Sequence, residues 1–209
     1  MKFKISTTAA CLAMMALCVA ASSTAFATTI GFSCSNGSGK TTGNAAICPD
    51  AGNITEPLVS WTQGQYTITP ASSTAWYYNA NQGNPAPGLS NVSGGSKITI
   101  TDGGGIFNFV SVDVKGTGLT GYNIIGYDGV TGVLDISCSS SCGGTSNWET
   151  ILAGLKSDVD LTSLAITLDG SGALGLDNID VVTPEPNGLL LLGTGILAAA
   201  LFARRKLTA

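Results

Sequence analysis

The 209 residues carry 9 Lys and Arg against 13 Asp and Glu, and no histidine. Five of the nine basic residues, Lys2, Lys4, Arg204, Arg205 and Lys206, stand in two apolar end segments, so residues 28–183 hold 4 basic against 12 acidic groups, a charge of −8. A body that acidic argues against nucleic-acid binding, which needs clustered Lys and Arg to replace counterions, and a chain without imidazole has no Ser-His-Asp or Cys-His catalysis, histidine metal site or histidine pH switch.

The chain opens with Lys2 and Lys4, an apolar run from Ala9 to Ala21, and the small-x-small pattern Ala25-Phe26-Ala27. That order predicts a secretory signal peptide over residues 1–27, cleaved after Ala27. The alternative, a retained membrane helix, asks for about 20 apolar residues, more than this run supplies. Lipoprotein anchoring fails because Leu17, before Cys18, is too large for a lipobox position.

Residues 28–183 hold 25 glycines and many Thr, Ser and Asn, with no amphipathic-helix period. Residues 28–60 carry the weakest strand signals. Within them, Gly37-Ser38-Gly39-Lys40-Thr41 imitates a phosphate loop, but the first glycine of that motif falls on Cys34, and the segment reads as an exposed polar loop. Strand-like runs then follow at 65–69, 74–79, 96–101, 106–114, 121–127, 132–137, 148–152, 161–168 and 174–182. About nine such runs between Gly, Asn, Asp and Pro turns predict an all-β, antiparallel sandwich. In 106–114 the apolar parity changes from Phe107 and Phe109 to Val110, Val112 and Val114, which predicts a bulge near Phe109. Asp128 to Gly132 supplies hairpin chemistry. Leu164, Ile166 and Leu168 share one strand face.

Four cysteines remain after signal removal. In an exported chain they predict disulfides, and short polar loops favour Cys34 with Cys48 and Cys138 with Cys142, two other connectivities being open. Their spacing suits neither zinc nor a Cys-x-x-Cys redox motif, and no metal or cofactor is expected. Carboxylates are the only acid-base groups. A glycan hydrolase needs two across a cleft, and Glu56, Glu149, Asp113, Asp128, Asp158 and Asp160 are the candidates; scattered surface charge is the other reading, and the chain is expected to be non-catalytic. Asp158 and Asp160 with Asp177 offer hard oxygen ligands for Ca²⁺ without a recognised spacing. By parity with Ile179 and Val181, Asp177 is expected to point inward at a strand start and accept from backbone amides. Trp76 and Tyr78 share a strand face beside Asn79, Asn81 and Gln82, so that face is either core or a sugar contact combining flat rings with amide donors.

At the far end, Pro184-Glu185-Pro186 precedes an apolar helix expected over 188–203 and then Arg204-Arg205-Lys206. Sixteen residues cover roughly 24 Å as a helix, marginal for a bilayer core, and the basic cluster holds the extreme C-terminus on the cytoplasmic side. This combination over residues 184–209 resembles the PEP-CTERM sorting signal, with Thr183 where that family often has Val. The resemblance implies an exosortase-type membrane protease as partner, an inner-membrane precursor, and release to the cell envelope or extracellular matrix of an exopolysaccharide-producing Gram-negative bacterium. A permanent, unprocessed anchor is the alternative. From Ser96 to Val182 the body resembles the sandwiches that precede such tails, through Gly103-Gly104-Gly105-Ile106-Phe107 and Leu176-Asp177-Asn178-Ile179. That second resemblance implies a jelly-roll-like or lectin-like sandwich and no activity. The function expected is an exported, non-catalytic matrix protein associated with exopolysaccharide, with a dedicated carbohydrate-binding module and a glycan hydrolase as alternatives.

If the tail is a sorting signal, the mature extracellular protein lacks the residues after Pro184-Glu185-Pro186, and neutral replacements of Arg204, Arg205 and Lys206 reduce retention and processing. Intact-mass measurement decides this: secreted protein that still ends at Ala209 contradicts it.

Overall fold

Strand after strand pairs antiparallel with its neighbours, as the short β-branched runs require. A computed structural model describes residues 26–34, 37–41, 57–71, 76–93, 95–116, 118–139, 142, 147–154 and 158–184. Nearly all of the expected signal segment, Cys48, Glu56 and the tail from Glu185 onward lie outside the described residues. Ala27–Pro184 forms one compact unit.

Twelve strands run in chain order: β1 (Phe26–Ile30), β2 (Ser38–Thr41), β3 (Leu58–Gln63), β4 (Tyr66–Pro70), β5 (Trp76–Asn79), β6 (Gly88–Ser93), β7 (Ser96–Asp102), β8 (Asn108–Gly116), β9 (Leu119–Asp128), β10 (Thr131–Cys138), β11 (Glu149–Leu152) and β12 (Ser163–Thr183). The last two runs expected from sequence are one 21-residue strand. Its first part joins β7 on one side and β9 on the other, in a sheet ordered β2-β3-β4-β7-β12-β9-β10. Its second part joins β6 and β8, in a sheet ordered β5-β6-β12-β8-β11. β1 also pairs with β12. The fold is all-β and sandwich-like, with no α-helix among the described residues.

β12 changes sheet at Asp169-Gly170-Ser171-Gly172, where its register slips against both β9 and β6. Gly170 and Gly118 lie back to back there. A side chain on Gly170 would collide with the Gly118 carbonyl and one on Gly118 with the Ser171 carbonyl, while the Ser171 amide donates to Gly118 O at 2.9 Å. Bare backbone is thus a packing requirement of the crossing.

The core lies between the two sheets. Leu164, Ile166 and Leu168 face it, as their parity predicts, but Ala165 on the opposite parity is also buried. Across the interior Trp61 of β3 stacks on Tyr78 of β5, ring centroids 5.8 Å apart at 17°, and Phe32 tilts against Trp61 at 5.5 Å. The bulge expected near Phe109 is present. Between Ser111 and Phe109 β8 advances two residues while β12 advances one, from Asp180 to Val181, so Phe109, Val112 and Val114 all reach the core. The β9–β10 hairpin turns on Gly129 and Val130; only Gly129 has positive φ, +59°. Cys138 and Cys142 are bonded, Cα atoms 5.8 Å apart. Cys34 is disulfide-bonded too, and its sulfur accepts a hydrogen bond from the Tyr78 hydroxyl at 3.4 Å.

One expectation needs correction here. The Gly37–Thr41 segment is no loop: Ser38–Thr41 forms β2, the edge strand beside β3. Gly37 itself packs so closely on the Trp61 ring that a Cβ would sit 2.8 Å from it. Pairing with a neighbour compensates for what Ser, Gly and Lys lack in strand propensity.

Gly118→Ala and Gly170→Ala should each lower unfolding free energy by about 1–3 kcal/mol, the usual range for overpacking. Gly132→Ala, whose new methyl would meet only Ile125 at 3.9 Å, should change it little. Denaturant titration of the three variants reads the difference.

Candidate functional site

Strand β5 places alternate side chains on opposite faces. Trp76 and Tyr78 are 0% and 4% exposed and belong to the core. They are therefore not the sugar contact that the sequence left open; the stacking of Tyr78 on Trp61 leaves no ring face for a ligand. Tyr77 and Asn79, between and after them, point to the outer face of the β5-β6-β12-β8-β11 sheet.

On that outer face the register aligns one row across all five strands. Tyr77 pairs with Ser90, Ser90 with Gly175 and Gly175 with Lys115. Glu149 pairs with Val114, which sets Trp148, the residue before β11, opposite Lys115. The Lys115 ammonium lies 5.9 Å from the Trp148 ring centroid. A row two residues further along holds Asn79, Gly88, Asp177, Asp113 and Thr150. Tyr77, Asn79, Lys115 and Trp148 are all half-buried.

The connection from β5 to β6, residues 80–87, folds back over these rows as a strap. Asn79 starts it: its Oδ1 accepts the Asn81 amide at 3.0 Å, and its Nδ2 donates to Gln82 Oε1 at 3.3 Å. The peptide bonds Asn84–Pro85 and Ala86–Pro87 are cis. Gly88 and Gly175 make room below. A Cβ on Gly88 would lie 2.7 Å from the Gln82 carbonyl, and one on Gly175 would lie 2.6 Å from Gln82 Nε2 and 2.9 Å from the Trp148 ring. The Gln82 amide and the edge of the Trp148 ring therefore both sit above Gly175 in the middle of the first row, with the Tyr77 and Trp148 backbones at its ends.

Asn84 fastens the strap to two carboxylates. Its backbone amide donates to Asp177 Oδ2 at 2.6 Å and its Nδ2 to Asp113 Oδ2 at 3.1 Å. Asn178 Nδ2 donates to the same Asp113 oxygen at 3.0 Å and also to the Asn84 carbonyl, and Thr150 Oγ1 donates to Asp113 Oδ1 at 2.6 Å. Asn178 adopts a left-handed φ of +41°, within a register slip between Asp177 and Asp180. That slip overturns the parity argument for Asp177. It does accept backbone amides, but it lies mid-strand and on the outer face beside Gly175, because the extra residue at Asn178 puts Ile179 and Val181 in the core.

Asp177 is 1% exposed. Burial pushes its carboxyl up to about 6, opposed by the amides of Asn84, Asn178 and Phe32 and reinforced by the charge of Asp113. Its Oδ1 has no hydrogen-bond partner among the described residues.

The other acidic candidates do not converge. Glu149, Asp128 and Asp158 are exposed on β11, the hairpin and a loop. Asp160 accepts from Asn108 Nδ2 at 3.1 Å, and Asn108 is five residues along β8 from Asp113, roughly 17 Å in an extended strand. Asp160 and Asp177 therefore share no Ca²⁺ site, and no cluster of three or more His, Cys, Asp or Glu able to hold a metal occurs among the described residues. The one facing pair, Asp113 with Asp177, lies under the strap with Asp113 fully engaged by N–H and O–H donors, unlike two carboxyls open to a glycosidic bond. A second concavity of about 370 Å³ lies at the seam between β10 and β11, lined by Tyr122, Ile136, Cys142 and Glu149 to Leu152.

No protein-family model and no curated protein sequence matches the chain. Among solved structures, a Clostridium thermocellum endo-1,4-β-D-xylanase 10B fragment, CBM22-1 with its GH10 module and xylohexaose, aligns at 17% identity and TM-score 0.38 over 57% of this chain and 26% of that one. The chain thus matches about a quarter of the xylanase fragment's length. The family 32 carbohydrate-binding module of C. perfringens NanJ with galactose aligns at 13% and 0.32 over 56% and 93%. A carbohydrate-binding module CBM29-2 variant aligns at 13% and 0.34 over 77% and 93%. Likeness this low transfers no residue role to this chain.

Because the folded state raises the Asp177 pKa above the ordinary 3.8, it binds that proton more tightly than the unfolded chain does. The stabilisation is present at low pH and is lost as pH rises through about 6. Asp102, also raised by burial, acts in the same sense. Unfolding free energy should therefore be higher at pH 5 than at pH 7.5, and Asp177→Asn should remove most of that difference in paired denaturant titrations.

Proposed function

We propose that this is an exported, non-catalytic protein of the cell envelope or extracellular matrix, delivered by a PEP-CTERM-like tail through an exosortase-type protease, that associates with exopolysaccharide through the outer face of the β5-β6-β12-β8-β11 sheet. The observation that carries the binding part is the row from Tyr77 to Trp148, with the Gln82 amide between two half-exposed aromatic rings. Sugars present apolar C–H faces and hydroxyl rims, and this row offers ring surface and amide groups on one rigid face. Tyr77 stands on a strand, Trp148 immediately before one, and the amide on a strap fixed by three hydrogen bonds at Asn84, so little conformational freedom is lost on binding. The body belongs to the jelly-roll-like or lectin-like kind of sandwich in this reading, and the site makes a dedicated carbohydrate-binding module its nearest alternative. A hydrolytic role finds no support in carboxylates that are separately exposed or engaged by donors.

In a pull-down with exopolysaccharide from the producing bacterium, the wild-type body should be retained and Trp148→Ala should be released, with Trp148→Phe in between. Equal retention of all three, at matched thermal stability, rejects the outer face as the contact.

A further inference from the structure

Resting on that reading, we infer that the outer face takes an uncharged polysaccharide as a chain of two or more sugar units, not an acidic polymer and not a single terminal sugar. The extent of the row sets the first part. The Tyr77 and Trp148 backbones stand at opposite edges of a five-strand sheet, but the Trp148 ring reaches inward past Lys115 to Gly175, two interstrand steps or about 10 Å from the Tyr77 backbone. One pyranose ring is shorter than that span, so a ligand that touches both aromatic rings and passes over Gln82 is a chain of at least two sugars lying across the strands. Between Tyr77 and the Trp148 ring, Ser90 carries a small side chain, and Gly175 is buried under the Gln82 amide and the edge of the Trp148 ring.

Charge sets the second part. Residues 28–183 contain no arginine, the side chain whose planar fork grips carboxylate and sulfate, and they carry a charge of −8. On the outer face the lone cation among the described residues of the two rows is Lys115, and its ammonium is engaged on the Trp148 ring. Asp113 and Asp177 lie in the next row, and Asp180 follows along β12, accepting from Ser111 Oγ at 2.7 Å and from Thr29 Oγ1 at 2.5 Å. A uronate or sulfated chain on this track meets more negative than positive charge, and repulsion between like charges disfavours it. A neutral chain meets ring faces and the amides of Asn79 and Gln82, which are bonded to each other through Asn79 Nδ2 and Gln82 Oε1 and keep N–H groups to donate to hydroxyls.

Affinity electrophoresis of the oxidised body through gels containing xylan, galactomannan, hydroxyethylcellulose, alginate or polygalacturonate tests this directly. At least one of the three neutral polymers should retard the protein, the two acidic ones should not, and free glucose, galactose, mannose and xylose should fail to compete. Trp148→Ala and Tyr77→Ala should each weaken the retardation by about tenfold, as loss of a ring contact does, while Val130→Ala at the distant hairpin leaves it unchanged. Retardation by alginate or polygalacturonate that depends on Trp148 overturns the uncharged class but leaves association with polysaccharide standing. Competition by a free monosaccharide overturns the requirement for a chain. Migration unaffected by every neutral polymer overturns the inference, and the pull-down on the producer's exopolysaccharide then shows separately whether the wider reading also falls.

Discussion

A single strand shared by two sheets organises this molecule, and the sharing depends on contact between two stretches of backbone with no side chains between them. β12 leaves β7 and β9 and joins β6 and β8 within a few residues. A 21-residue strand makes that change only where it can bend, and Gly170-Ser171-Gly172 supplies the bend while Gly118 receives it. Because β12 is central in both sheets, its inward residues Leu164, Ile166, Leu168, Leu174 and Leu176 serve one continuous core. Fully buried side chains such as these pack against residues of both sheets in one core, so damage at the crossing reaches both.

The outer face is a consequence of two local departures from regular pairing. The extra residue at Asn178 turns Asp177 away from the core while Ile179 and Val181 remain in it. It also brings the Asn178 amide to Asp113. Two facing carboxylates of like charge would ordinarily destabilise a strand pair. Here their cost is offset by the donors of Asn84, Asn178 and Thr150, and by a proton on Asp177 at mildly acidic pH. The strap is held for the same reason: Asn84 is bonded to both carboxylates, and Gln82 is carried with it to its position between the rings. A polar arrangement that holds a loop thus also positions the amide of the proposed contact.

Much of the β architecture was legible in the residues. Alternation in 161–168, the phase change at Phe109 and the Gly129 turn each have a direct backbone counterpart, because a period of two and a positive φ are local properties. β2 and β6 were not legible. Ser38-Gly39-Lys40-Thr41 and Gly88-Leu89-Ser90-Asn91 have few β-branched or aromatic residues, and they form strands because β3 and β12 present partners for their backbone groups. The division into two separate late strands was wrong for a related reason: Gly170 and Gly172 mark a turn in most contexts, and only the neighbouring Gly118 makes them a continuous crossing.

The aromatic triplet Trp76-Tyr77-Tyr78 shows most plainly what sequence determines and what it leaves to the fold. Its composition establishes that one face of the strand is rich in rings and the other holds a single tyrosine beside Asn79. Which face meets water depends on Trp61 from another sheet, which covers Tyr78, and on Trp148, seventy residues away, which lies across from Tyr77 on the open side. Alternation is written into the chain because each residue rotates its side chain by half a turn from the last. Burial is decided by long-range pairing, which no local pattern contains. The acidity of residues 28–183, their lack of arginine and histidine, and the tendency to form strands were set by the sequence alone; the row that joins Tyr77, Gln82 and Trp148 exists only because four strand pairings and one strap bring them into register.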